Sequence, residues 1–268
     1  MNDKFSTAAF RSFKTFVGEL TAVAAGIYVG IQEVLPSIDG LGLADPWEFV
    51  AKKHGIKLCG LKSERVLSSA IRLNLVSLYS GLDLFFSDTR SQYHTLHGKV
   101  WVQHVGDTPF MALLRNTASS KELHESRLGL DRITSLDYYR LVRNSIAHPS
   151  EEAEAAAKKF YSENRELLIS TADAYGMKSV PSQVESLSFH DIKYLARLAL
   201  DLASAIDRDL DPGDDRLAAL LPANILRLPK SKTRLHNARK GWLSVTFGIQ
   251  SDRAERILSL NKTHKLSG

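Results

Sequence analysis

The sequence has one cysteine among its 268 residues, and its longest uninterrupted apolar run is short. A single cysteine, Cys59, excludes a disulfide within the chain and is typical of a reducing cytoplasm. The apolar run Leu20–Ile31 covers twelve residues, whereas a membrane-spanning helix needs about 20. Because Asp3 and Glu19 precede it, the run is also atypical of a secretory signal. We therefore expect a cytoplasmic protein with no membrane partner, in which Leu20–Ile31 is a buried helix.

Acidic residues are scarce towards the C-terminus. Residues 213–268 contain eleven Lys and Arg against four Asp and Glu, a net charge of +7, so the first 212 residues sum to −2 to give the overall +5. The basic run is formed by Arg227, Lys230, Lys232, Arg234, Arg239 and Lys240. Such a cluster suits phosphate groups, so these six residues are predicted to bind nucleic acid. The alternative is a solvated, flexible segment.

Strand patterns are almost absent as well. A hydrophobic content of 44% is ordinary for a globular protein, and helical spacing predicts helices over Thr7–Leu35, ended by Pro36, and over Ser63–Phe85. Residues 87–133 have the least regular pattern. A further helix is predicted from Glu151 to a break at Gly176.

Two more signals complete the predicted fold. Ser188 with Asp191 resembles a capping box that opens another helix. Trp242–Ile249 is rich in residues that favour a strand, and Ser251 could cap a last helix. The sequence thus predicts a mainly α protein: a helical domain over residues 1–212 and a small basic C-terminal extension over 213–268, with a possible short strand and a helix.

The segment Leu136–Ser150 contains the side chains best suited to catalysis. Its apolar residues recur at helical spacing, and Pro149 disfavours helix at His148, so the predicted helix ends at the histidine. Arg143 and Asn144 lie in the same last turn and a half, where unpaired carbonyls favour positive charge. At about 100° per residue, Asn144 and His148 share a face, while Arg143 and His148 lie about 140° apart. A shared cleft built by two copies is therefore the natural hypothesis, which predicts a homodimer.

The residues Arg143-Asn144-Ser145-Ile146-Ala147-His148 resemble the signature of the HEPN superfamily, an arginine followed after four to six residues by a histidine. Members of that superfamily also tend to carry a polar residue, often Asn, right after the arginine. The resemblance implies an all-helical, HEPN-like core that dimerises through the motif helices. In active members it implies a metal-independent endoribonuclease, common among prokaryotic toxins and antiviral defence proteins, that needs no cofactor.

RNA cleavage without a metal gives each motif residue a role. The 2′-hydroxyl attacks the adjacent phosphate once a base removes its proton, and His148 is the predicted general base or acid because imidazole titrates near neutrality. Arg143 is predicted to stabilise the pentavalent intermediate. Asn144 would orient the histidine or bind a phosphate oxygen. Two alternatives stay open: Arg143 caps carbonyls or pairs with an acid while His148 merely ends a helix, and the protein is a non-catalytic RNA-binding or protein-interaction module of HEPN type.

Three remaining predictions concern neighbours of this motif. Some HEPN proteins carry an acid on a preceding helix that steadies the arginine, and Asp83 is the possible equivalent here, although helix acids are usually only solvated. His94 and His97 are close in sequence, but no cysteine or well-placed carboxylate completes a metal site, so no metal is expected. Some HEPN toxins are silenced by modification of a tyrosine two residues after the histidine. Ser150 occupies that position, so control by an antitoxin or regulatory partner of another kind remains open.

Overall fold

The computed structural model describes residues 4–40, 42, 46–58, 63–117, 121–222, 225 and 231–263. Those residues form helices and loops with no strand among them, so the predicted mainly α fold is confirmed. The helices are α1 Ala8–Asp39, α2 Pro46–Lys53, α3 Ser63–His97, α4 Pro109–Thr117, α5 Lys121–Leu128, α6 Leu130–Ala147, α7 Glu151–Glu163, α8 Arg165–Ala174, α9 Phe189–Asp209, α10 Asp214–Ala219, α11 Lys232–Phe247 and α12 Ser251–Thr263. Helix α12 begins at Ser251, close to the predicted start.

Contacts divide the chain into two units, whose limits fall inside α1, α3, α5 and α9. Unit 1 comprises Met1–Lys14, Asp83–Arg127 and Leu202–Gly268, and unit 2 comprises Thr15–Leu82 and Leu128–Asp201. None of these limits coincides with the boundary at residue 212 that the charge distribution predicts.

Unit 1 has a core to which the C-terminal helices contribute directly. Leu243 and Ile257 are completely buried in one cluster with Phe5 and Tyr93. The rings of Phe5 and Phe247 stack with their centroids 5.7 Å apart. Burial of these apolar side chains stabilises the association of the N-terminal segment with α11 and α12.

The predicted strand at Trp242–Ile249 is wrong, because most of this segment belongs to helix α11. Leu243 and Phe247, four residues apart, are the buried pair on one face of that helix. The preference of Trp, Val, Thr and Phe for strands is weak and is overridden by this burial. Gly248, at a φ of +64°, ends the helix in the left-handed conformation that glycine adopts at low cost.

Helix α3 is longer than predicted, since it continues to His97 through the segment expected to be irregular. Its buried face continues after Phe85 and Phe86 with Thr89, Tyr93 and Leu96. These positions are three or four residues apart, as a helical face requires. The polar Thr89, which is fully buried, interrupts the apolar pattern and hides this continuation in the sequence.

Helix α1 also departs from expectation. It passes through Pro36 and ends at Asp39, so proline removes one hydrogen bond near the end without stopping the helix. The run Leu20–Ile31 is helical but only partly buried: Ala24 and Ile31 are buried, whereas Val23 and Val29 are more than half exposed. A run that is apolar on all sides of a helix can bury only the face that meets a neighbour.

Helix α1 is long and apolar enough by length and composition to cross a membrane. The qualifying window has a mean hydropathy of 1.3, and 17% of it is buried. The uninterrupted apolar run alone is too short to show this property.

Within unit 2, α1 packs on two other helices. The ring of Tyr28 stacks on the ring of Phe189 of α9, with centroids 4.9 Å apart. Gly81 of α3 leaves room for the ring of Phe16.

Candidate active site at the end of helix α6

Helix α6 ends at the histidine, as predicted. Ala147 is its last residue, and His148 has left the helical conformation at φ −132° and ψ 71°, as a residue before proline favours. The backbone N–H of His148 still donates to the carbonyl of Asn144 at 2.9 Å. Two residues later, Ser150 caps α7 by accepting the N–H of Ala153 at 3.1 Å. The imidazole therefore lies in a three-residue junction between the two helices.

The inner face of α6 anchors the motif to unit 2. Val142 and Ser145 are buried as expected, whereas Ala147 is exposed. Tyr138 and Tyr139 are almost completely buried, so they are unavailable for stacking on a base. The hydroxyl of Tyr138 donates to the carbonyl of Ser182, and burial raises the pKa of both tyrosines above the ordinary value. Both phenols therefore remain protonated donors.

Asp191 is the buried carboxylate that joins α6 to the start of α9. It accepts 2.8 Å hydrogen bonds from the hydroxyl of Tyr139, from the backbone N–H and hydroxyl of Ser182, and from the backbone N–H of Ser188. The hydroxyl of Ser188 donates a fifth at 2.9 Å. One half of the predicted capping box is confirmed, because the backbone N–H of Ser188 donates to the carboxylate of Asp191. The backbone N–H of Asp191 donates to the carbonyl of Ser188 rather than to its hydroxyl. No local pattern in the sequence predicts Tyr139 or Ser182 as partners.

Arg143 and Asn144 are brought together by a hydrogen bond. Nη1 of Arg143 donates to Oδ1 of Asn144 over 3.1 Å. Both residues are half-buried, whereas His148 is exposed to solvent. The end of α6 thus carries a guanidinium bonded to an amide and, five residues after the arginine, an exposed imidazole. Groups of these types can bind phosphate and transfer a proton.

Asp83, the predicted partner of Arg143, is half-buried on α3. Asp83 belongs to unit 1 and Arg143 to unit 2. That Asp83 steadies the side chain of Arg143 stays a prediction.

The described part of the basic run has exposed and half-buried positions. Lys232 and Arg234 are exposed in the first turn of α11, while Arg239 and Lys240 are half-buried. Nζ of Lys240 lies 2.7 Å from Glu255 and 3.0 Å from the hydroxyl of Ser251. Glu255 also accepts from the ring of His236 at 3.0 Å, and these two partners lower the pKa of its carboxyl group. Arg227 and Lys230 lie outside the described residues.

The histidines at the end of α3 are engaged locally. Nδ1 of His94 lies 3.2 Å from the carbonyl of Lys99. The ring of His97 packs on Tyr93 with centroids 4.8 Å apart, and burial, followed by the charge of Lys99, lowers the pKa of His97. In the part of the chain that the structure describes, no group of three or more His, Cys, Asp or Glu could hold a metal ion.

Comparison of the chain with family models, curated proteins and solved structures gives no match. The resemblance to the HEPN superfamily therefore depends on the residues of the motif and on the helical fold alone.

Proposed function

We propose that the protein is a metal-independent endoribonuclease of HEPN type that acts as a homodimer. The observation that carries the proposal is the end of α6, where the Arg143 guanidinium bonds to Asn144 and His148 is exposed just beyond the last helical residue. Folding does not require arginine, asparagine and histidine together at a helix end, because other caps or solvent can equally well hydrogen-bond the last carbonyl groups.

The proposed reaction uses groups that the RNA and the protein supply themselves. His148 removes the proton of a ribose 2′-hydroxyl, and the 2′-oxygen attacks the adjacent phosphorus. Arg143 stabilises the negative charge of the pentavalent intermediate with two of its N–H groups. The bond from phosphorus to the 5′-oxygen then breaks, and a proton passes to that oxygen. The products are a 2′,3′-cyclic phosphate and a 5′-hydroxyl.

The geometry of one helix favours a site that is built from two chains. Arg143 and His148 are five residues apart, about 140° around the helix axis, so one copy directs them at different targets. A twofold axis that pairs the motif helices would place the arginine of one chain opposite the histidine of the other. Two equivalent sites in one cleft follow from that symmetry.

RNA binding by residues other than the motif is assigned to the exposed cations of α11. Lys232 and Arg234 are the strongest candidates, because Lys240 already pairs with Glu255. Their contacts with phosphates would be independent of base sequence. The biological role we propose is that of a cytoplasmic prokaryotic toxin or antiphage defence protein, controlled by an antitoxin or another regulatory partner.

The experiment is incubation of purified protein with varied RNAs in excess EDTA, beside His148→Ala. We expect the parent protein to cut, with cyclic-phosphate ends, and His148→Ala to be inactive. His190→Ala is the matched control, because His190 is an exposed histidine at the start of α9, and it should cut like the parent. Equal activity of the parent and His148→Ala, or no cleavage of any RNA, would favour the non-catalytic module instead.

A further inference from the structure

Asn116 on α4 makes a strand-like contact with Val102, in the segment of unit 1 that follows α3. Its Oδ1 accepts the backbone N–H of Val102 at 2.9 Å, and its Nδ2 donates to the carbonyl of the same residue at 2.8 Å. One side chain reaches both groups only where they point to the same side of the chain, as they do in an extended strand. Asn116 therefore takes the place of a neighbouring strand on one edge of this segment.

The edge opposite Asn116 offers two backbone groups that no described residue engages. The peptide bonds before and after Val102 are trans, and in a planar trans peptide the C=O and N–H groups point in opposite directions. The carbonyl of Trp101 and the N–H of Gln103 therefore point away from Asn116. Neither forms a hydrogen bond with a residue that the structure describes. These two groups, one acceptor and one donor, form an open edge of the kind that pairs with an added strand.

The side chains of this segment divide into an inner and an outer set. The ring of Trp101 lies edge-on to that of Tyr93, with centroids 5.4 Å apart, and packs against the core of unit 1. Because successive side chains of an extended segment alternate, Val100 and Val102 point outwards, and they are 80% and 48% exposed. Two outward valines suit the apolar side chains of a strand that lies beside them.

The charge around the open edge is positive. Residues 89–121 contain a single acid, Asp107, and Arg115 donates to both of its oxygens at 2.9 and 3.1 Å. Arg115 thereby holds the pKa of the Asp107 carboxyl group below its ordinary value. The cations Arg90 and Lys99 are exposed, and neither forms an ion pair with a described residue. An acidic side chain of a partner is attracted to this surface.

We propose that the open edge, together with Val100 and Val102, binds an extended peptide segment of a partner protein that alternates apolar with polar residues and carries an acid. The segment adds as a strand on the side opposite Asn116. A lipid surface fits less well, because hydrocarbon leaves both backbone groups unpaired. RNA also fits less well, because its phosphate oxygens accept hydrogen bonds but offer no donor to the carbonyl of Trp101. This binding does not depend on the proposed nuclease function.

The probe is a displayed library of random peptides, selected on the immobilised full chain. We expect the enriched peptides to alternate apolar with polar residues and to contain acids. Gln103→Pro removes the N–H of the open edge, and proline keeps the residue before it extended. It should weaken binding of a selected synthetic peptide by about tenfold or more. Gln103→Ala is the matched control: both variants lose the side-chain bond from Arg90, but alanine keeps the backbone N–H and should bind like the parent.

A second measurement needs no change in the protein. Methylation of the peptide's backbone nitrogens at alternate residues blocks hydrogen bonding along one of its edges. Methylation in one register should abolish binding, and methylation in the other register should not. Equal binding to the parent and Gln103→Pro, indifference to both registers, or a library without a binder overturns the proposal. A parent dimer that Gln103→Pro dissociates also overturns it, because a second copy of the chain then occupies the edge. RNA cleavage is no readout here, so failure of the nuclease would leave this test unaffected.

Discussion

The hydroxyl of Tyr139 donates to the carboxylate of Asp191 over 2.8 Å, and both residues are almost completely buried. Tyr139 lies one turn before Arg143 on α6, and Asp191 lies in the first turn of α9. This bond therefore fixes the helix that carries the proposed catalytic residues to the rest of unit 2. The buried hydrogen bond between Tyr139 and Asp191 thus holds the motif in place, together with apolar packing.

Tyr139→Phe should destabilise the protein by about 1.5–3 kcal/mol, the usual contribution of a hydrogen bond to a charged group. Urea denaturation followed by circular dichroism measures this loss. Tyr161→Phe is the matched control, because the hydroxyl of Tyr161 makes a longer bond of 3.3 Å to the carbonyl of Pro181 and is only partly buried. If Tyr139→Phe lowers the free energy of unfolding no more than the control does, the hydrogen bond from Tyr139 to Asp191 does not hold α6 in place.

Asp207 gives unit 1 a stability that depends on pH. Its carboxyl group accepts the backbone N–H of Thr7 at 3.1 Å and the hydroxyl of Thr7, yet burial raises its pKa from 3.8 to about 6. The pKa of Asp207 is therefore higher in the folded protein than in the unfolded chain. Its contribution to the free energy of unfolding is complete below about pH 4 and is lost as pH rises through about 6.

Asp207→Asn should remove this dependence, because an amide accepts from Thr7 but does not titrate in this range. We expect the free energy of unfolding of the parent, taken relative to Asp207→Asn, to fall by about 3 kcal/mol in total as pH rises from below 4 to above 6. Denaturation at several pH values measures the difference. A difference that is constant between pH 4.5 and 6.5 would show that Asp207 has an ordinary pKa.

The exposed cations of α11 should account for part of the salt dependence of RNA binding. For single strands each phosphate contact adds about 0.7 to the slope of log affinity against log salt. The double variant Lys232→Ala/Arg234→Ala should therefore lower that slope by about 1.4. The control, Lys178→Ala/Lys193→Ala, removes two exposed lysines of unit 2 and should leave it unchanged. Equal slopes for both double variants would remove α11 from the proposed RNA surface.

Local signals in the sequence were sufficient for the end of α6 and the start of α9. Pro149 restricts the residue before it, and the backbone N–H and hydroxyl of Ser188 both donate to Asp191, three residues later. The partners of Asp191 were not predictable, because Tyr139 is 52 residues away and Ser182 contributes from an irregular loop. The bond between Arg143 and Asn144 was also missed, since neighbouring positions on a helix do not face each other.

The wrong strand at Trp242–Ile249 has a similar cause. The strand preference of these residue types reflects how they pack on a pleated sheet. Here the residues pack instead against the core cluster that contains Phe5 and Ile257. Arg11 contributes as well, because its guanidinium donates to the carbonyls of Val245 and Thr246 at 2.7 and 3.1 Å at the end of α11. Those contacts join residues more than 230 positions apart, beyond the reach of any local pattern.

The shared cleft is tested most directly by pairing two inactive variants. Arg143→Ala and His148→Ala, co-expressed with different affinity tags, are purified in sequence so that only mixed dimers remain, and RNA cleavage in EDTA is measured. In a mixed dimer one intact arginine and one intact histidine come from different chains. We predict cleavage well above the sum of the two separate variants. Mixed dimers as inactive as either variant, or a parent protein that cuts RNA as a monomer, would contradict the account.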